Sequence, residues 1–236
     1  MSITAEHGNV IMAKAAPSPK YLPLNDRLYS YLCAQRSHAS DPVLDALRKE
    51  TEALGDPARM QISREQGTLM TLLVAAIGAK TAIEVGTFTG YSSVCIARGL
   101  PEGGRLICID ESVEWTSIAR KHWAQAGVQN KIDLRLGSAV PLLQTLESNL
   151  VFDFAFIDAD KTEYDAYYES ILPRLKPNGL MLFDNMLWGG GLGAAAIDHP
   201  SGRAIDALNR KLAQDTRVET VLLPIADGIQ LCRKRG

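Results

Sequence analysis

The chain has 236 residues, a formal charge of −2 and an apolar fraction of 46%. That length fits one domain, and the charge balance excludes the basic excess of a nucleic-acid-binding surface. No apolar run is long enough to span a bilayer, and residues 1–20 lack the basic and apolar regions of a signal peptide.

Residues 1–24 read as a flexible N-terminal segment, and 25–236 as a single domain that opens with helices over 25–78. Leu28, Tyr31 and Leu32 recur at helical spacing, as do Val43, Leu44 and Leu47, and then Leu69, Leu72 and Leu73. Asp41-Pro42 marks a helix start, with proline at the first helical position. From Thr81 onward short apolar runs alternate with amphipathic stretches, giving a core over 81–236. Strands are expected at 82–85, 105–109, 131–136, 152–157, 180–183, 218–223 and 228–232. Helices are expected at 91–99, 112–127, 140–148, 162–175 and 201–214.

Such alternation implies right-handed crossovers and a mainly parallel sheet covered on both faces. The turn from Pro224 to Gly228 is too short for a crossover helix, so the final strands should pair antiparallel. The expected fold class is therefore α/β: a Rossmann-like, doubly wound, seven-stranded and mostly parallel sheet with a C-terminal antiparallel hairpin.

Cys33, Cys95, Cys108 and Cys232 are scattered, without a C-x-x-C pair, and read as reduced, buried thiols of a cytoplasmic protein. His7, His38, His122 and His199 show no ligand spacing and read as surface or loop residues.

The run Glu84-Val85-Gly86-Thr87-Phe88-Thr89-Gly90 follows the first strand and opens a helix. Gly86 permits a tight turn and close approach of a ligand, and Gly90 is expected to let the helix pack close to the strand. Asp110, at the end of the second strand, is placed to bind ribose hydroxyls. A dinucleotide fingerprint needs a glycine where Phe88 stands, whereas a cofactor without phosphates does not. Glu84 would repel a pyrophosphate but could face a cationic amino-acid group. S-adenosyl-L-methionine therefore fits better than NAD.

Two acidic clusters, Asp158-Ala159-Asp160-Lys161 and Asp184-Asn185, each follow an apolar strand. On neighbouring parallel strands they emerge at one sheet edge, where ligands of open α/β sheets bind. Carboxylates, an amide oxygen and a lysine there suit a hard divalent cation with a general base beside it. Each residue also has a plainer role. Lys161 could simply neutralise the aspartates, Asp160 and Ser92 could cap helices, and Glu84 could be a solvated strand end. Tyr164, Tyr167 and Tyr168 are expected to pack their helix on the sheet. Trp188 could wall a planar substrate or anchor a loop.

These segments, E-V-G-T-F-T-G-Y-S-S, F-I-D-A-D-K-x-x-Y and F-D-N-x-L-W, resemble the cation-dependent O-methyltransferases of the caffeoyl-CoA and catechol type, from about Leu24 to the C-terminus. The resemblance implies methyl transfer from S-adenosyl-L-methionine to a small catechol-like or hydroxycinnamoyl-type phenol with vicinal hydroxyls, in a homodimer. It implies Asp158, Asp184 and Asn185 as ligands of a divalent cation (magnesium first, calcium or manganese as alternatives), with Lys161 as base and Asp158 beside it in catalysis. Ile62, Glu84, Gly86, Thr87, Ser92, Asp110, Ala139 and Asp160 would line the cofactor pocket, and Trp188 would meet substrate. After Trp188 the chain departs from the plant enzymes, because Gly189 stands where they carry asparagine and residues 189–196 replace a more polar loop. An NAD-linked oxidoreductase and a non-catalytic binding protein on this fold are the alternatives.

Overall fold

The computed structural model describes residues 20–37, 39–193 and 197–236. The N-terminal helices are α1 (Asp26–Ala34), α2 (Pro42–Glu52) and α3 (Arg64–Ala76). Asn25, Asp41 and Ser63 cap them with side-chain oxygens that accept backbone N–H groups of the first turn. Each such cap contributes about 1 kcal/mol. A 3-10 turn, Asp56–Met60, joins α2 to α3.

The core then alternates β1 (Thr81–Val85), α4 (Tyr91–Gly99), β2 (Arg105–Asp110), α5 (Val113–Gln125), β3 (Ile132–Leu136), α6 (Ala139–Gln144), β4 (Phe152–Ile157), α7 (Tyr164–Ile171), β5 (Leu175–Phe183), α8 (Pro200–Gln214), β6 (Val218–Leu223) and β7 (Ile229–Lys234). The seven strands form one sheet in the order β3-β2-β1-β4-β5-β7-β6. The first five run parallel. β7 is antiparallel to both β5 and β6, so the last strand inserts between them and leaves β6 at the edge. The expected α/β sheet with its closing hairpin is thus present.

Apolar side chains on both faces produce this arrangement. β4 reads Phe-Asp-Phe-Ala-Phe-Ile and is buried throughout except for half-buried Asp153. A central parallel strand covered by helices needs such a continuous apolar run. One face carries Ile83, Val85, Ile157, Phe183 and the tyrosines of α7. The other carries Ala82, Cys108, Phe154, Phe156 and residues of α3 and α4. Asp153 accepts the Lys80 and Thr81 N–H groups, each at 2.9 Å, and pins β1 beside β4.

Several expectations change. The helix expected over 162–175 is shorter, because Pro173 lies in a 3-10 turn, Leu172–Arg174, and β5 begins at Leu175. Proline lacks an N–H and clashes with the preceding turn, which ends an α-helix. The helix expected over 140–148 stops at Gln144. His122 is buried, with Nε2 2.9 Å from Glu50, because it lies on the inner face of α5. His199 caps α8, accepting the Ser201 N–H, while His7 and His38 lie outside the described residues. Cys33 is half-buried, and the other cysteines are buried and free. Gly90 packs on α5 rather than on the strand: a Cβ there would meet Ala119 Cβ at 2.6 Å and Trp123 Nε1 at 2.9 Å. No helix among the described residues is long and apolar enough to cross a membrane.

Candidate active site

The carboxyl ends of β1, β2, β4 and β5 open on a cavity of about 1400 Å³. That exceeds the 300–1,000 Å³ typical of a single small-ligand site, at about that scale, and leaves room for two reactants. Ile62, Gly86, Thr87, Ser92, Asp110, Ala139, Asp158, Asp160, Lys161, Asp184, Asn185 and Trp188 all line it. Glu84 does not: it is fully buried beneath the turn, with Oε2 accepting from the Cys108 thiol at 3.3 Å. Burial pushes its carboxyl up to about 8, while the Ser92, Cys108 and Thr87 groups beside it pull the other way.

The glycine turn is held by Asp110. Its Oδ2 accepts the N–H groups of Thr87 at 2.9 Å and Phe88 at 2.8 Å, and its Oδ1 accepts that of Ser112 at 2.8 Å. Phe88 takes a left-handed conformation with φ of 52°, which costs a non-glycine residue roughly 1 kcal/mol or more. The two N–H bonds from Asp110 and an edge-on contact of its ring with Trp115, centroids 5.0 Å apart, offset that cost. Asp110 therefore shapes the turn as well as facing the cavity. Gly86 has a φ of 89°, and its turn presses against the start of the next cluster.

The acidic clusters meet as their strand ends require, since β4 and β5 are neighbours in register from Phe154–Leu180 to Ile157–Phe183. Lys161 Nζ lies 2.7 Å from Asp158 Oδ1 and 5.2 Å from the Tyr164 ring centre. Burial, and then the Asp158 charge, push the Asp184 carboxyl upward. The Asn185 N–H donates to Asp184 Oδ1 at 2.7 Å, and the Asn185 backbone is left-handed, with φ of 59°. Asp160 accepts both the N–H and the hydroxyl of Thr162, capping the short 3-10 turn that precedes α7. Tyr164, Tyr167 and Tyr168 are buried against the sheet, and the Tyr164 hydroxyl donates to the Asp184 carbonyl at 3.2 Å.

Among the described residues there is no group of three or more His, Cys, Asp and Glu placed to hold a metal ion. The carboxylates here are two, Asp158 and Asp184, and the third oxygen donor is the Asn185 amide. An all-oxygen set around the half-buried Asp158 and the buried Asp184 has the chemistry of a hard-cation site. The donors present fit such an ion.

Trp188 also has a positive φ, 50°, and its ring lies over His199 with centroids 5.1 Å apart. Gly202 of α8 makes room for it, since a Cβ there would meet Trp188 Nε1 at 2.8 Å. Trp188 thus anchors its loop and faces the cavity at once. The glycine-rich loop beyond it extends into residues 194–196, outside the described residues.

Three lining residues were not anticipated. Gln66 of α3 is fully buried, its amide lies against Asp184, and neither amide atom makes a full hydrogen bond within the protein. Asp227, in the hairpin turn, accepts from Asn185 Nδ2 at 3.4 Å and from the Gly189 N–H. Arg48 of α2 reaches the cavity from the helical side. The sequence set Asp227 in the turn between the last two strands, ahead of Gly228, and helical residues far from the strand ends carried no signal.

The family described as O-methyltransferase matches residues 34–235. Caffeoyl-CoA O-methyltransferase 2 of Zea mays is 37% identical over 226 residues, covering 91% of this chain and 85% of that protein. Tricin synthase 2 of Oryza sativa subsp. japonica is 42% identical over 180 residues, which are 72% of this chain and 62% of that longer protein. Among solved structures, the O-methyltransferase from Bacillus cereus in complex with SAH superposes with a TM-score of 0.80 at 29% identity, covering 88% of this chain and 97% of that one.

Proposed function

We propose a reaction for a chain that belongs to the O-methyltransferase family: transfer of the methyl group of S-adenosyl-L-methionine to one hydroxyl of a small phenol bearing vicinal hydroxyls. The observation that carries this reading is the closeness of the two halves of the site. The Gly86 turn touches the Asp158 backbone, so a cofactor on the turn lies beside the Asp158, Asp184 and Asn185 oxygens. SAH, the product form of the cofactor, is bound by the Bacillus cereus relative, and caffeoyl-CoA figures in the name of the maize one.

Displacement at a sulfonium methyl needs nucleophile, carbon and sulfur in line, so holding both reactants supplies much of the rate. Gly86 offers close backbone approach, and Asp110 faces the ribose from the turn it braces. Ile62 and Ala139 give apolar walls, and Ser92 and Thr87 line the cavity beside the buried Glu84. Asp158, Asp184 and Asn185 would hold a divalent cation, magnesium first and calcium or manganese as alternatives. Such an ion would supply Lewis acidity, lowering the pKa of a chelated hydroxyl from about 10. Lys161, beside Asp158, would take the phenol proton at Nζ. Trp188 flanks a planar ring, and Asp227 fixes Asn185.

The test is transfer of labelled methyl from S-adenosyl-L-methionine to a panel of catechols and hydroxycinnamoyl compounds. Activity should vanish with EDTA and return with Mg²⁺. Full activity under thorough chelation removes the cation, and an inert panel removes the acceptor class. The NAD-linked reading lacks comparable support, because Phe88 fills the position where a pyrophosphate needs glycine. The homodimer belongs to the same proposal. Exposed Tyr21, Leu22, Leu24, Tyr31 and Leu32 at the start of the described chain are in keeping with it, and light scattering measures it.

A further inference from the structure

The cavity has two sides of opposite charge. At the strand ends it is lined mainly by carboxylates, including Asp110, Asp158, Asp184 and Asp227, with Lys161 paired to Asp158 among them. On the side built by α1, α2, the 3-10 turn and the start of α3, every charged lining residue is an arginine: Arg48, Arg59 and Arg64. The acids of these helices face other partners. Asp45 pairs with Arg64 at 2.8 Å, and Glu65 accepts from the Tyr29 hydroxyl at 3.0 Å.

Arg48 is the distinctive member. It is half-buried, donates through Nη2 to the Ile62 carbonyl at 3.2 Å, and stacks over the buried Tyr91 ring, 5.3 Å from its centre. Its Nε is buried without a partner, and no described carboxylate forms an ion pair with it. A half-buried guanidinium without a counter-ion is only partly satisfied, and its fork suits two oxygens of one anion. The N-terminus of α3, capped by Ser63, also lines this side and adds positive potential. Gln66, in the first turn of α3, carries a fully buried amide into the cavity and joins this side to Asp184.

We propose that this side of the cavity is an anion subsite, in which Arg48 binds a carboxylate or phosphate group carried by one of the two reactants, with Arg59 as an outer partner. The inference rests on the methyl-transfer reading, and the anion has two sources within it. One is the carboxylate at the amino-acid end of the cofactor. The other is an acidic tail of the acceptor, as a free carboxylate or as phosphates of a thioester carrier.

Calorimetric titration of the full chain and of Arg48→Gln separates these sources. For the cofactor, S-adenosylhomocysteine is compared with 5′-methylthioadenosine, which lacks the amino-acid end. For the acceptor, cinnamate and cinnamoyl-CoA are compared with cinnamyl alcohol, which is neutral. The substitution should reduce the preference for the anionic member of one set by about ten-fold or more, the loss of one charged hydrogen-bonded contact. Arg48→Lys should recover part of it. If both preferences are unchanged in Arg48→Gln, the subsite is overturned. A wild type that binds S-adenosylhomocysteine but shows unchanged preferences on substitution sinks only this inference. A wild type that binds none of the probes sinks the methyl-transfer reading with it. Circular dichroism checks that the variant folds. Should it not fold, exposed Arg59→Gln decides: a loss of about three-fold in an anionic preference supports the subsite, and no loss overturns it.

Discussion

A Cβ on Gly86 would lie 2.1 Å from the Asp158 carbonyl oxygen, so the turn after β1 and the cluster after β4 are in direct backbone contact. Any side chain at Gly86 must separate them. Gly86→Ala should therefore lose S-adenosylhomocysteine binding and lower stability by about 2 kcal/mol or more, from overpacking combined with a positive φ. Calorimetry and urea unfolding read the two effects. Retained binding would mean that the cofactor does not sit on this turn.

Lys161→Met tests the proton acceptor. A positioned general base is worth about 10²–10⁴-fold, so turnover should fall by at least about 100-fold. S-adenosylhomocysteine affinity should stay within about three-fold, because Lys161 faces Asp158 and the acceptor side. Equal turnover in variant and wild type assigns Lys161 to charge neutralisation alone.

Glu84 gives a pH dependence of stability. Its folded carboxyl titrates near 8, above its ordinary value of 4.5, because of burial. Between those values the folded protein holds a proton that the unfolded chain has released. Its contribution is thus fully present below about 4.5 and is lost as pH rises through about 8. Glu84→Gln should flatten this part of the profile, and at pH 9 it should exceed the wild type by on the order of a few kcal/mol. Parallel stability curves for the two proteins from pH 5 to 9 would contradict the buried, protonated carboxyl.

Gln66→Leu tests the amide beside Asp184. Loss of a group that orients a metal ligand typically costs about 10–100-fold in affinity. Manganese binding, followed by electron paramagnetic resonance without substrate, should weaken by about ten-fold or more. Unaltered manganese affinity would place the cation away from Asp184.

Most of the sheet was legible because its strands are short apolar runs ended by glycine, aspartate or proline. The cavity-lining residues at strand ends were legible for the same reason, since a strand end fixes where a side chain leaves the sheet. Glu84 was not, because β1 is covered on both faces and position along it does not reveal depth. Arg48 and Gln66 were not, because they reach the site only through packing of α2 and α3 on the strand ends. Pro173 did carry a readable stop signal, but the tyrosine spacing before it matched a longer helix. The double role of Asp110 was hidden because its partners are backbone N–H groups, which leave no trace in residue identity.

The insertion of β7 between β5 and β6 sets an order of assembly. Met186 and Leu187 donate their N–H groups to the Gly228 and Asp227 carbonyls at 2.9 and 2.8 Å, so the loop after β5 is tied to the turn before β7. In a chain made from its N-terminus, the outer edge of β5 stays unpaired until residues through Lys234 have emerged. The cofactor turn and Asp158 are by then already synthesised, but Asn185 has no Asp227 to lean on. A chain not yet made beyond β6 would carry the Gly86 turn and Asp158 while Asn185 still lacked its Asp227 partner.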